Sequence, residues 1–123
     1  MHELSIALSL LEAAEEVSVA NSRAPVLALH LRLGALAGVD AQALEFAWTV
    51  AAMETAAAGA KLVVVNMPVR GWCSGCAAER EAVSGHHLCC RQCGEWMLEI
   101  RQGRELELTA VELAAAAAAE EAA

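Results

Sequence analysis

Leu4, Ala7, Leu8, Leu11 and Ala14 recur at the spacing of one helix face, and Ile6, Leu10 and Val17 widen that stripe. Glu12, Glu15 and Glu16 fall mostly on the other side. Asn21, Ser22 and Pro25 then break the pattern, so the spacing predicts a helix over 3–20. At 26–33 (VLALHLRL) the period changes to two: Leu27, Leu29, Leu31 and Leu33 point one way, and Val26, Ala28, His30 and Arg32 the other. That is a half-buried strand, with His30 packed against neighbouring groups on its polar face. Gly34 and Gly38 loosen the next loop, and Asp40 is placed to cap a second helix over 41–57, carried by Leu44, Ala47, Trp48 and Ala51. Gly59 suits its C-terminal end. Residues 61–67 (KLVVVNM) are β-branched and apolar, a second strand stopped by Pro68. Beyond a cysteine-rich stretch, 96–101 and 105–111 read as two more strands, with Gly103 in the turn of an expected hairpin. The Ala/Glu-rich tail, 114–123, favours helix but offers nothing large to dock, and is expected to fray.

This order predicts an α/β fold: two helices packed on a small mixed sheet, with an inserted zinc-ribbon-like module of four cysteines. The expected organisation is a discontinuous α/β domain, 1–68 and 96–113, interrupted by a metal-binding module at 69–95. Residues 79–81 in that insert read as a solvated loop, and Trp72 and Trp96 as shields beside the cysteines.

Composition narrows the function. Apolar residues make up 58% of the 123, but there are only three Trp, one Phe and no Tyr, so the core must be aliphatic. The formal net charge is −8, with 16 acidic against 8 basic residues. A chain without a cationic track is a poor match for nucleic acid phosphates or an anionic membrane surface. No uncharged apolar run approaches the roughly 20 residues of a membrane span. The amino terminus has no basic start of a signal peptide, which leads to the expectation of a reducing cytoplasm, where clustered cysteines usually hold metal.

Four of the five cysteines form two Cys-x-x-Cys pairs, Cys73/Cys76 and Cys90/Cys93, separated by 13 residues. Each pair can make a tight knuckle with two thiolates aimed at one ion, and two knuckles complete a tetrahedral, closed, structural zinc site. Gly75 and Gly94 supply permissive backbone for the knuckles. Cys89 is an alternative to Cys90 that would break the two-residue spacing; the preferred set keeps Cys90 and leaves Cys89 a spare thiol. His86 and His87 are alternative ligands or exposed loop residues. A redox dithiol is the competing reading of a Cys-x-x-Cys pair, weakened here by the presence of two pairs.

Met1-His2-Glu3 has a second kind of metal chemistry. The α-amine of Met1, the deprotonated amide nitrogen of His2 and its imidazole can close adjoining five- and six-membered chelate rings. The Glu3 amide nitrogen, or a carboxylate from Glu3 or Asp40, can fill the fourth position. Tetragonal nitrogen and oxygen donors suit Ni(II) or Cu(II). Read alone, these residues equally describe an exposed histidine and an acid favoured in a helix's first turn.

Taken together, the chain resembles the HypA/HybF nickel metallochaperones of hydrogenase maturation. The resemblance begins at Met1-His2-Glu3-Leu4-Ser5-Ile6 and runs through 31–40 (LRLGALAGVD), 44–47 (LEFA) and 59–62 (GAKL). It continues through both cysteine pairs with Gly94 to 103–106 (GREL), covering the chain to about residue 113. It implies nickel at the amino terminus, with His2 as the essential ligand beside the Met1 amine and with Glu3 and Asp40 as supporting or nearby groups. It also implies zinc at Cys73, Cys76, Cys90 and Cys93. The expected role is delivery of Ni(II) to the large-subunit precursor of a [NiFe] hydrogenase together with a HypB-type GTPase, without catalysis. Both monomer and homodimer are compatible with it. Cys89 and the alanine-rich tail depart from the family's pattern. The rival readings are a zinc-ribbon module that binds only a protein partner, and a dithiol redox protein. For an enzyme, the sequence offers no nucleophile–base pair and no phosphate-binding glycine loop.

Overall fold

The computed structural model describes residues 2–115. Its elements follow in the order α1 (Glu3–Ala20), β1 (Val26–Gly34), α2 (Ala41–Ala52), β2 (Lys61–Met67), β3 (Arg70–Cys73), β4 (Ala78–Ser84), β5 (His87–Cys90), β6 (Glu99–Gln102) and β7 (Leu106–Leu113). Strands β2-β1-β7 form one sheet, and β5-β4-β3-β6 form another. Hydrogen bonds link Val26 to Ala56 and Ala35 to Met67, rising together, so β2 runs parallel to β1. Gly34 bonds Glu105, and the His30 carbonyl accepts from Thr109, so β7 runs antiparallel to it. The sheet is mixed, as the sequence predicts, and two helices accompany it.

The chain divides into two compact units. In the described chain, the first comprises residues 2–31, 39–64 and 108–115. Its core is aliphatic around one tryptophan: Ala7, Leu10, Leu11 and Ala14 of α1 meet Leu44, Trp48 and Ala52 of α2 and Val26, Leu29 and Leu31 of β1. Trp48 is buried because its indole N–H finds the Ala60 carbonyl at 3.0 Å. The buried stripe of α1 is centred on Leu10 and Leu11, so Leu4 and Leu8, expected inside, stay half-exposed. Leu27 likewise departs from the other strand leucines and is half-exposed. His30 packs as expected, its Nε2 against the Glu112 carboxylate.

Helix α2 stops at Ala52, five residues before the predicted end. The Thr55 hydroxyl donates to the Ala52 carbonyl at 2.7 Å and accepts from the Ala57 amide at 3.0 Å. A short polar side chain thus takes over groups that a continuing helix would pair. Gly59, at φ +80°, belongs to a later turn and does not cap the helix.

The second unit comprises 32–38 and 65–107. Its sheet encloses a small core of Val69, Cys73, Ala82, Cys90 and Met97. Two expectations fail here. Residues 79–81 are not a loop but the middle of β4, whose Gly71↔Arg80 and Cys73↔Ala78 register joins it to β3. Nor do 96–101 and 105–111 form a hairpin: β6 pairs with β3, and β7 lies beside β1 in the other sheet. The connecting segment turns away because its groups are used elsewhere. The Gly103 carbonyl accepts from Leu36 at 2.6 Å, and the Glu105 carbonyl from Gly34 at 2.7 Å. Among the described residues, no helix is long and apolar enough to cross a membrane.

Candidate metal centres

In the second unit, β3 ends at Cys73 and β5 ends at Cys90, so each knuckle begins where a strand runs out. The first cysteine of each pair is almost fully enclosed, Cys73 at 0% and Cys90 at 1% exposure, while Cys76 is half-buried and Cys93 exposed. The knuckle amides point at sulfur: the Cys76 N–H lies 3.4 Å from the Cys73 Sγ, and the Gln92 N–H lies 3.3 Å from the Cys90 Sγ. Each turn closes on a residue with positive φ directly after its second cysteine, Ala77 at +52° and Gly94 at +83°. The left-handed residue of the first knuckle is therefore Ala77. At Gly75, a Cβ would meet the Glu95 Oε1 at 2.3 Å, the mobile end of an exposed side chain, and lie in ordinary contact with the Cys93 Sγ at 3.5 Å.

The ligand atoms of Cys73, Cys76, Cys90 and Cys93 all lie within 4.8 Å of one another. The Cys73 and Cys93 sulfurs are 3.4 Å apart, and those of Cys76 and Cys90 are 3.9 Å apart. A disulfide would need about 2.05 Å, and all five cysteines are free. A tetrahedron of Zn–S bonds of about 2.3 Å has edges of about 3.8 Å, so the four thiols fit a closed tetrahedral ion. Cys89, His86 and His87 lie outside this cluster; His86, in the turn before β5, and His87, at its start, are exposed. Through its backbone Cys89 instead forms an isolated antiparallel β-bridge with Trp96, a residue 57% exposed and so not the shield expected of it.

Close approach of the sulfurs moves the Cys90 and Cys93 thiols in opposite directions. Burial raises the Cys90 thiol, but amide donation from Cys93 and Gln92 and contacts with the neighbouring thiols outweigh it and bring it down to about 7. At Cys93, an amide contact from Glu95 lowers the pKa. Hydrogen bonding with the Cys73 thiol, burial and the remaining thiols prevail and push it up to about 12.

In the first unit, His2 precedes α1. Its carbonyl accepts from the Ile6 amide at 3.0 Å and the Ser5 hydroxyl at 2.9 Å, while its side chain is exposed and makes no capping bond. Asp40 is the N-cap of α2, as the sequence predicts: its Oδ1 accepts from Gln42 at 2.9 Å and Ala43 at 3.2 Å. The Asp40 amide in turn donates to the Glu3 carboxylate at 3.1 Å. That bond brings residue 40 beside the start of α1, across 37 positions of sequence. The Glu3 carboxyl is held down at about 2, chiefly by the positive amino terminus, then by the Asp40 amide and its own. Met1, whose amine belongs to the expected nickel site, lies outside the described residues.

The family model described as hydrogenase/urease nickel incorporation, metallochaperone, HypA, matches residues 1–113. The chain belongs to the HypA family. The hydrogenase maturation factor HypA of Azotobacter vinelandii is 37% identical over 113 residues, covering 92% of this chain and 99% of that protein. Its counterpart in Chloroflexus aurantiacus is 41% identical over 112 residues, covering 91% and 98%. The solution structure of the Ni metallochaperone HypA from Helicobacter pylori superposes with a TM-score of 0.60 at 24% identity, covering 92% of this chain and 97% of that one. A second solution structure of a HypA protein gives 0.67, also at 24% identity. At such identity the two structures establish likeness of fold. The HypA family comprises nickel metallochaperones of hydrogenase maturation, and this chain carries its fold together with a four-cysteine cluster able to hold a metal ion.

Proposed function

We propose that this chain binds Ni(II) at its amino terminus and hands it to the large-subunit precursor of a [NiFe] hydrogenase, acting in the cytoplasm with a HypB-type GTPase. Zinc in the Cys73, Cys76, Cys90 and Cys93 site serves structure, and the chain carries out no catalytic reaction of its own. The family description names urease beside hydrogenase, and the relatives named as hydrogenase maturation factors favour hydrogenase as the destination.

One observation carries the reading. Four sulfurs at tetrahedral spacing leave no coordination position for a passenger, so the cargo needs a separate and accessible home. His2 offers one: an exposed imidazole at a helix start, where the backbone amides have no intrahelical acceptor. The His2 amide nitrogen can give up its proton to a bound ion without breaking a helical bond. With the Met1 amine and the imidazole it forms two fused chelate rings, and the Glu3 amide or a carboxylate of Glu3 or Asp40 completes the plane. Asp40 is already engaged as a helix cap, and Glu3 with the Asp40 amide, so these acids suit a supporting role better than a leading one. A surface chelate of this kind exchanges its ion readily, which a carrier requires and an enzyme's resident metal does not.

Extending the chain by two residues before Met1, or acetylating it, turns the Met1 amine into an amide and leaves every native side chain in place. Isothermal titration with Ni(II) is expected to show at least a tenfold loss of affinity for either modified protein, with zinc content unchanged. Undiminished nickel binding by both would rule out the terminal chelate.

A further inference from the structure

We propose that Ser5 is a positioning residue of the terminal nickel chelate: its hydroxyl fixes the peptide unit between His2 and Glu3 and leaves the His2 amide free for the ion. A residue just before a helix usually anchors itself through its side chain, which accepts an amide of the first turn. The His2 side chain makes no such bond. Among the described residues, the hydrogen-bonded anchoring of His2 falls on its carbonyl, which accepts from the Ile6 amide at 3.0 Å and the Ser5 hydroxyl at 2.9 Å. A carbonyl oxygen has two lone pairs, and these donors occupy both. The peptide unit is planar and trans, so a carbonyl held along the helix turns the Glu3 nitrogen of the same unit toward the helix's open end. The exposed His2 imidazole stands at that end as well.

The identity of the side chain matters as well as its bond. Ser5 is the third residue of α1, the position from which Glu or Gln closes a capping box by accepting the amide of the residue before the helix. Here that amide belongs to His2 and is one of the proposed nickel donors, so a capping-box side chain would compete with the ion for it. The Ser5 hydroxyl goes to the carbonyl instead, and among the described residues nothing accepts from the His2 amide. Ser5 is exposed and takes no part in the buried core. Alanine has the higher intrinsic preference for a helix, so helix propensity gives no reason for a hydroxyl at this place. The chelate gives one: donor atoms held before the ion arrives lose less freedom when it binds.

This role rests on the terminal chelate proposed above, and isothermal titration of the full-length, zinc-loaded chain with Ni(II) separates the two. S5A should bind nickel about threefold to tenfold more weakly, the reach of one hydrogen bond, without a lower melting temperature. S5T keeps the hydroxyl and should return to within about twofold of native affinity. S5Q should bind more weakly than S5A, because its side-chain oxygen can take the His2 N–H. Native affinity in S5A, or equal weakening in S5A and S5T, would overturn the positioning role. So would a loss of affinity in S5A that came with a matching fall in melting temperature, since the hydroxyl would then serve the helix alone. S5Q binding no more weakly than S5A would overturn the need for a free His2 amide. The acetylated native chain is titrated alongside. If it binds nickel undiminished, the terminal chelate fails and the role of Ser5 with it; if it loses nickel while S5A does not, only the role of Ser5 falls.

Discussion

His2→Ala is expected to abolish one-to-one nickel binding while zinc remains near one ion per chain. The imidazole closes the second ring of the proposed chelate, and its removal leaves the chelate open at that position. Its loss should weaken Ni(II) binding by more than the roughly 10–100-fold typical of removing a group behind a ligand. The fold should hardly notice. His2 is exposed and its side chain caps nothing, so stability should stay within about 0.5 kcal/mol of native. Isothermal titration with nickel, metal analysis and a thermal melt on one preparation check all three statements. Nickel bound one-to-one with native affinity would remove the terminal site. A collapsed melting curve would show that His2 has a structural role its surroundings do not suggest.

Stripping zinc is expected to unfold the second unit selectively. Its core has five buried residues, and two of them, Cys73 and Cys90, are themselves proposed ligands. The remaining three, Val69, Ala82 and Met97, with partly buried Leu36, Leu88 and Ile100 packed on them, bury too little apolar surface to offset the chain entropy of four short strands. Structural zinc contributes about 10–16 kcal/mol in isolated zinc-finger peptides, far more than such a core supplies. Among the described residues, the first unit has eleven buried core residues, none of them a cysteine. After treatment with a strong chelator, or in a Cys73→Ser/Cys90→Ser variant, amide hydrogen exchange in β3 to β6 should become nearly as fast as in unfolded chain. The amides of α1 and α2 should keep their protection. Uniform loss of protection through both helices would show that one cooperative unit depends on the metal, and unchanged protection in β3 to β6 that the metal is dispensable to the fold.

The parts of the fold visible in the sequence are those whose signal is local and repetitive. Helix α1 runs over Glu3–Ala20, as its apolar spacing and the Asn21-Ser22 break predict, and Asp40 caps α2 through a preference that acts over three residues. The sequence leaves β3 to β5 hidden because their inward positions are filled by cysteine, arginine and alanine, not by a row of large aliphatics. A four-residue strand such as Arg70–Cys73 also offers too few positions for any period to emerge. The expected hairpin around Gly103 failed for a non-local reason: partners for that turn come from 34–36, some seventy residues earlier. The same limit applies to the candidate sites. Cysteine spacing announces the four thiols, and the chemistry of a terminal histidine is legible in three residues. The Glu3 bond to the Asp40 amide, which brings two sequence-distant acids near the amino terminus, is set by the packing of α1 against α2.

X-ray absorption at both metal edges, on one untagged sample loaded with a single equivalent of nickel, tests the two-site account most directly. The nickel edge should show only nitrogen and oxygen neighbours, with an imidazole signature lost in the His2→Ala protein. The zinc edge of the same sample should show four sulfurs at about 2.3 Å. Sulfur around nickel, or a zinc shell that changes to nitrogen and oxygen as nickel is added, would mean that both ions compete for the cysteines, contradicting a separate site for the cargo.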